Sequence, residues 1–127
     1  MGQNQKKIIA IGGGGFTHRS DEVLDKFVID QCKKKQINFG FLPTASEDNK
    51  DKIKLFYSEL DKYKIELSHF ELCSSSNGFE KWLMAQDIIY IGGGNTKLMI
   101  KIWEDNNLIK VFKDAYNSGI ILSGISA

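Results

Sequence analysis

Short apolar runs alternate along this chain with segments in which apolar residues recur every three or four positions. That alternation predicts buried strands separated by amphipathic helices. Residues 7–12 read as a first strand, running into the glycines at 12–15. Ser20 can cap the next helix, with Asp21 and Glu22 in its first turn. Val23, Leu24, Phe27, Val28 and Cys32 follow at helical spacing and predict its buried face. Residues 38–42 read as a second strand, stopped by Pro43. Thr44-Ala45-Ser46-Glu47 fits the capping-box pattern, and Ile53, Phe56, Tyr57 and Leu60 mark one face of the helix behind it.

The second half repeats the scheme. Residues 65–72 alternate between apolar and polar, which predicts an edge or half-exposed strand. Residues 74–78 form a loop, 79–85 a short helix and 87–91 a buried strand that ends in Gly92-Gly93-Gly94-Asn95-Thr96. Leu98, Met99, Ile102 and Trp103 share one helical face; Asn106 or Asn107 breaks that helix. Leu108, Phe112, Ala115 and Tyr116 form another, which Gly119 ends. Ile120-Ile121-Leu122 then leads to Gly124-Ile125-Ser126-Ala127. Nearly unbroken apolar strands joined by helices imply a parallel sheet covered on both faces. The expected fold is a single three-layer α/β domain over residues 1–127, of flavodoxin-like type, with about five strands. In such folds the site lies at the C-terminal ends of the strands, where both glycine runs and Ser126 fall.

Composition narrows the function. With 42% apolar and 26% charged residues, the chain is globular rather than disordered. A net charge of +1 supplies no long-range attraction for nucleic acid or an acidic membrane, so neither is an expected partner. The basic run Lys33-Lys34-Lys35 falls where a helix should end, and favourable charge at a helix C-terminus accounts for it. The apolar stretch 8–11 is too short for a signal peptide or a membrane span. Cys32 and Cys73 are too few for a disulfide framework and lack metal-ligand spacing, so no metal or cofactor is expected. A reducing cytoplasm is the expected location.

Ser126 is the main chemical candidate. Gly-Ile-Ser-Ala after a buried strand is the first part of a nucleophile elbow, Gly-x-Ser-x-Gly, whose turn lifts a serine hydroxyl out of the backbone. The loop 92–96 admits three readings. It can be a tight turn capped by Asn95 or Thr96. It can be an oxyanion hole, with Gly94 N–H and Ala127 N–H converging on the oxygen that turns negative when Ser126 attacks a carbonyl. It can be a phosphate-binding loop, although it lacks the lysine of a Walker motif. Gly13, Gly14, Asn95 and Thr96 are the candidates for contacting substrate; the run 12–15 also reads as a spacer that gives the other loops room. His18 and His69 are the only imidazoles. His69 lies inside a strand and reads as structural. His18 lies on the proposed edge without a group nearby that suggests a base. Thr44, Ser46 and Glu47 read as capping residues. A non-catalytic module that holds a small anion on these glycine loops is the alternative to a hydrolase.

Ile11-Gly12-Gly13-Gly14, Phe41-Leu42-Pro43-Thr44-Ala45-Ser46, Ile91-Gly92-Gly93-Gly94-Asn95-Thr96 and Gly124-Ile125-Ser126-Ala127 together resemble the peptidase E (aspartyl dipeptidase) and cyanophycinase family of serine peptidases. The resemblance implies a class I glutamine amidotransferase-like α/β fold and a Ser-His-Asp or Ser-His-Glu catalytic system. It implies Ser126 as nucleophile, Gly94 and Ala127 as oxyanion donors, and a small, aspartyl-containing peptide as substrate. Members of that family run on for roughly half as much again, with the catalytic histidine and acid beyond the nucleophile. The expectation is therefore an N-terminal portion of a longer enzyme. Alone, the 127 residues are expected to be inactive and sparingly soluble. A terminal carboxylate at Ala127 would oppose an oxyanion, and without a base the serine is a poor nucleophile. The last strand and its neighbours are expected to leave apolar surface and an unpaired edge.

Overall fold

A computed structural model describes residues 6–13, 15–16 and 22–125. Its core is a five-stranded sheet: β1 (Ile8–Ile11), β2 (Asn38–Leu42), β3 (Glu66–His69), β4 (Ile88–Ile91) and β5 (Ile121–Ile125). The spatial order is β1-β5-β4-β2-β3, and every pairing is parallel. Five helices connect the strands: α1 (Glu22–Asp30), α2 (Lys50–Leu60), α3 (Phe79–Met84), α4 (Thr96–Asp105) and α5 (Ile109–Asn117). The three-layer parallel α/β architecture agrees with the reading of the sequence.

Side chains alternate across the sheet and feed two cores. One face carries Phe39, Phe41, Ile88, Tyr90, Ile121 and Ile125, covered by α1 and α2. The other carries Leu42 and Ile89, covered by α3 and α5. The first core is aromatic at its centre. Phe41 and Phe56 lie 5.0 Å apart, and Phe16 sits edge-on to Phe41 at 5.2 Å and against Tyr90 at 4.9 Å. Such pairs add to the burial of their area. Phe16 belongs to the connection after β1, so this cluster ties a loop at the sheet's edge to the centre of the domain.

Several local expectations hold and others are corrected. β3 is an outer strand and only half buried, as its alternation suggested. Cys32 is buried. Lys33 donates to the carbonyl of Asp30, the last residue of α1, which is the helix-end role expected of it. Ser20 and Asp21 lie outside the described residues. The buried face of α1 is the expected one only in part: Val28 and Cys32 are buried and Leu24 packs against the core, but Asp25 and Ile29 also point inward, while Val23 and Phe27 are 78% and 54% exposed. Two apolar stripes overlap on this helix, and the sheet takes the one that includes Val28. The capping box at Thr44 is also overturned. Thr44–Ser46 is a 3-10 turn, and Asn49 caps α2 by accepting from Lys52 N–H. Pro43 ends β2 and the chain must reverse within a few residues, through left-handed backbone at Glu47 and Asp48.

β5 lies inside the sheet, between β1 and β4. Among the described residues the open edge next to it is that of β1, where Ile8 is 68% exposed. An apolar groove lined by Ile8, Trp103, Ile109, Phe112, Tyr116 and Leu122 runs beside that edge.

Asp25 is the exception in the first core. It is only 4% exposed, and its Oδ1 accepts from Phe16 N–H at 3.2 Å. Burial pushes its carboxyl up from 3.8 to about 6, against the opposing pull of the Phe16 N–H and Lys62. A raised carboxyl binds its proton more tightly in the folded state. The stability this gives is full below about pH 4 and is lost as pH rises through about 6. Over about two pK units the loss is on the order of 2–3 kcal/mol. Asp25→Asn is expected to flatten this part of the pH profile and to raise the melting temperature relative to wild type above pH 6, as read by thermal unfolding across pH. Phe56, fully buried between Phe39 and Phe41, tests the aromatic core. Phe56→Ala should cost about 3–5 kcal/mol in urea unfolding; a loss under about 1 kcal/mol would mean that the cluster collapses around the cavity.

Candidate active site

The parallel register builds the candidate site. Ile11 of β1 pairs with Ile125 of β5, and Ile91 of β4 pairs with Gly124. The glycines after β1 therefore leave the sheet on one side of the end of β5, and Gly92-Gly93-Gly94 leave it on the other. Ser126 follows Ile125 directly in the chain; Ser126, Ala127 and Gly14 lie outside the described residues. Gly13 is exposed, with open space where a side chain would be.

The second glycine loop is held firmly. Gly92 and Gly93 are buried, while Gly94 is exposed at φ +145°. A Cβ on Gly94 would lie 2.3 Å from the carbonyl oxygen of Ala45, so only glycine fits. Asn95 N–H donates to that same carbonyl at 2.6 Å. Asn95 Oδ1 accepts from Leu98 N–H at 3.0 Å and caps α4, and Thr96 is the exposed first residue of that helix. The side-chain oxygen of Asn95 is thus committed to the helix, which leaves its amide NH2 for other contacts. Among the described residues the Gly94 N–H has no acceptor.

The loop's anchor is the turn after β2. Ser46 Oγ donates to the carbonyl of Pro43 at 2.8 Å, so Ser46 stabilises the turn. Asp48 accepts from Cys73 N–H at 2.9 Å, and burial raises its carboxyl above the usual range. Sequence reasoning did not single out Asp48 or Asp25: each lies in a polar stretch, and only tertiary packing buries it.

The remaining candidate groups lie elsewhere. His69 ends β3, three strands from β5, or about 14 Å at usual strand spacing. Its Nδ1 is 2.7 Å from the Tyr57 hydroxyl and its Nε2 is 3.0 Å from Glu71. Glu71 in turn pairs with Lys50, and Lys50 and then His69 hold its carboxyl below the usual range. His69 is therefore part of a bridge between α2 and β3, at the wrong edge to serve a nucleophile after β5. His18 lies outside the described residues. Burial, with Asp48 beside it, pushes the Cys73 thiol up to about 11, which leaves too little thiolate for a nucleophile at neutral pH. Among the described residues no group of three metal-ligating side chains occurs, and no helix is long and apolar enough to cross a membrane.

Comparison with known proteins bears on the family and the fold. Residues 8–127 match Peptidase family S51. Over 124 residues the chain is 37% identical to a Bacillus subtilis (strain 168) protein named "Uncharacterized peptidase YgaJ", covering 96% of this chain and 54% of that protein. A putative peptidase E protein from Listeria monocytogenes EGD-e is similar in structure, with a TM-score of 0.73 at 19% identity over 95% of this chain and 58% of that one. A peptidase from an acI-B1 Actinobacterium gives 0.69 at 16% identity, over 98% of this chain and 55% of that one. At such identity these two structures speak for the fold. The chain spans little more than half the length of each of these proteins. With the family matched across nearly its whole length and on the fold these structures share, this chain belongs to peptidase family S51.

Proposed function

We propose that this chain carries the nucleophile and the oxyanion-binding loop of a serine peptidase that hydrolyses small peptides, with an aspartyl residue at the cleaved bond. The observation that carries the reading is the register that ends β5 between two glycine loops at the C-terminal edge of the sheet. In it, the Ser126 hydroxyl attacks the peptide carbonyl. The N–H groups of Gly94 and Ala127 stabilise the oxygen as it becomes negative, and the acyl group passes from the leaving amine to Ser126 and then to water. Gly94 suits the task because its N–H meets no acceptor among the described residues and its backbone is pinned by Ala45. A donor held in advance costs no reorganisation during reaction. Gly13, Gly14, Asn95 and Thr96 border the peptide in this reading. The proton acceptor lies outside the described residues, since His69 is at the far edge. The proposal includes a cytoplasmic location and requires no metal, cofactor, nucleic acid or membrane.

Protein isolated from its natural source is expected to react with a fluorophosphonate probe at one site, located by peptide mass mapping to Ser126. Ser126→Ala should abolish the labelling. A folded sample that stays unlabelled would count against the serine mechanism. In Gly94→Ala the new Cβ meets the Ala45 carbonyl oxygen and must push the two loops apart. The stability loss should therefore exceed the about 1–3 kcal/mol of backbone strain alone, and in whatever fraction folds the labelling rate should fall about 100-fold or more. An unchanged rate in a folded Gly94→Ala protein would remove Gly94 from the oxyanion site.

A further inference from the structure

The first glycine loop has its own anchor, built from groups that the peptidase reading does not use. Gly15 has φ +77°, and a Cβ there would meet two oxygens at once: Asp25 Oδ1 and the Tyr90 hydroxyl, each at 3.1 Å. One comes from α1 and the other from β4. The next residue, Phe16, donates its N–H to Asp25 Oδ1 at 3.2 Å and inserts its ring beside that of Tyr90. Asp25 is 4% exposed and Tyr90 is fully buried. The Tyr90 hydroxyl has no hydrogen-bond partner among the described residues. An unpartnered buried hydroxyl is costly, and here it lies close to a buried carboxyl. Tyr90 precedes the second glycine loop by two residues and pairs in register with Ser123 of β5. The two loops that flank the end of β5 therefore share a support beneath the sheet's edge.

We infer that Asp25 is a positioning residue for the first glycine loop: its carboxyl holds the Phe16 N–H while the Phe16 ring packs on that of Tyr90, and together these set the wall of the site on the β1 side of β5. The clamp stands on its own geometry; calling that edge the site rests on the serine peptidase reading. An ionised carboxylate attracts the Phe16 N–H that it accepts from. A protonated one holds it less strongly, so the loop's position follows the charge on Asp25. The groups around Asp25 are the Phe16 N–H from the loop, Tyr90 on β4, Glu22 on its own helix, Glu59 on α2, and Lys62 and Tyr63 just beyond α2. Glu22 and Glu59 favour the proton and Lys62 opposes it, but burial outweighs them all and brings the group to about 6.

Nuclear magnetic resonance of the labelled protein across pH tests the clamp. The amides of Gly15 and Phe16 should titrate together with the Asp25 carboxyl carbon, with a midpoint near 6. Asp25→Asn should abolish that titration while the Phe16 amide stays protected from exchange. A Phe16 amide that does not titrate, or that titrates equally in Asp25→Asn, overturns the inference. If Asp25→Asn does not fold, joint titration of amide and carboxyl in the wild type still decides. For the consequence at the site, fluorophosphonate labelling of Ser126 should change on the order of tenfold through the same midpoint. That step should vanish in Asp25→Asn. An identical labelling profile in the variant overturns the positioning role. A loop that titrates while the protein isolated from its natural source never labels sinks the serine reading and leaves the clamp in place.

Discussion

The place of β5 between β1 and β4 is the constraint on which the rest of the candidate site depends. Parallel pairing aligns the C-terminal ends of adjacent strands, and the register of Ile125 with Ile11 and of Gly124 with Ile91 brings three chain segments to one edge. Those segments are far apart in sequence. A slip of one residue in β5 would turn Ile121 and Ile125 out of the aromatic core and move the strand's end relative to both loops. Burial of these isoleucines therefore holds the site in register.

The described residues of both glycine loops are bound to the core. The first is anchored through Phe16 in the aromatic cluster and through Asp25. The second rests on the carbonyl of Ala45, approached so closely that Gly94 can carry no side chain. Function and packing meet in these contacts. The backbone groups that could face a developing negative charge are supported by residues whose own positions are set by burial. A buried carboxylate at Asp25 opposes stability near neutral pH, and the hold on Phe16 proposed for it explains why such a residue can have a use there.

Local patterns along the chain were enough to find the strands, most helices and the positions of both loops, because period-two and period-three-to-four burial leave different marks. They were enough as well to narrow the cap of α4 to Asn95 or Thr96, of which the structure takes Asn95. They misled where two local solutions compete. Thr44-x-x-Glu47 matches a capping box, but the tight reversal after Pro43 turns it into a 3-10 turn and passes the cap to Asn49. On α1, Val23 and Phe27 share helical spacing with Val28, yet only the stripe through Val28 meets the sheet. Neither choice can be made from spacing alone, since each depends on what packs against the segment.

What the sequence by itself determined is the fold class, the identity of the glycine and serine motifs, and their location at strand ends. Those follow from local periodicity and from turn chemistry that only certain residues allow. The tertiary structure alone decided the strand order, because buried parallel strands look alike in sequence and the order is a long-range property. That order puts the two glycine loops on either side of β5 and sends His69 to the far edge, where it bridges Tyr57 and Glu71. It also buries Asp25 beneath the first loop, in a helix whose polar residues otherwise read as solvent-facing.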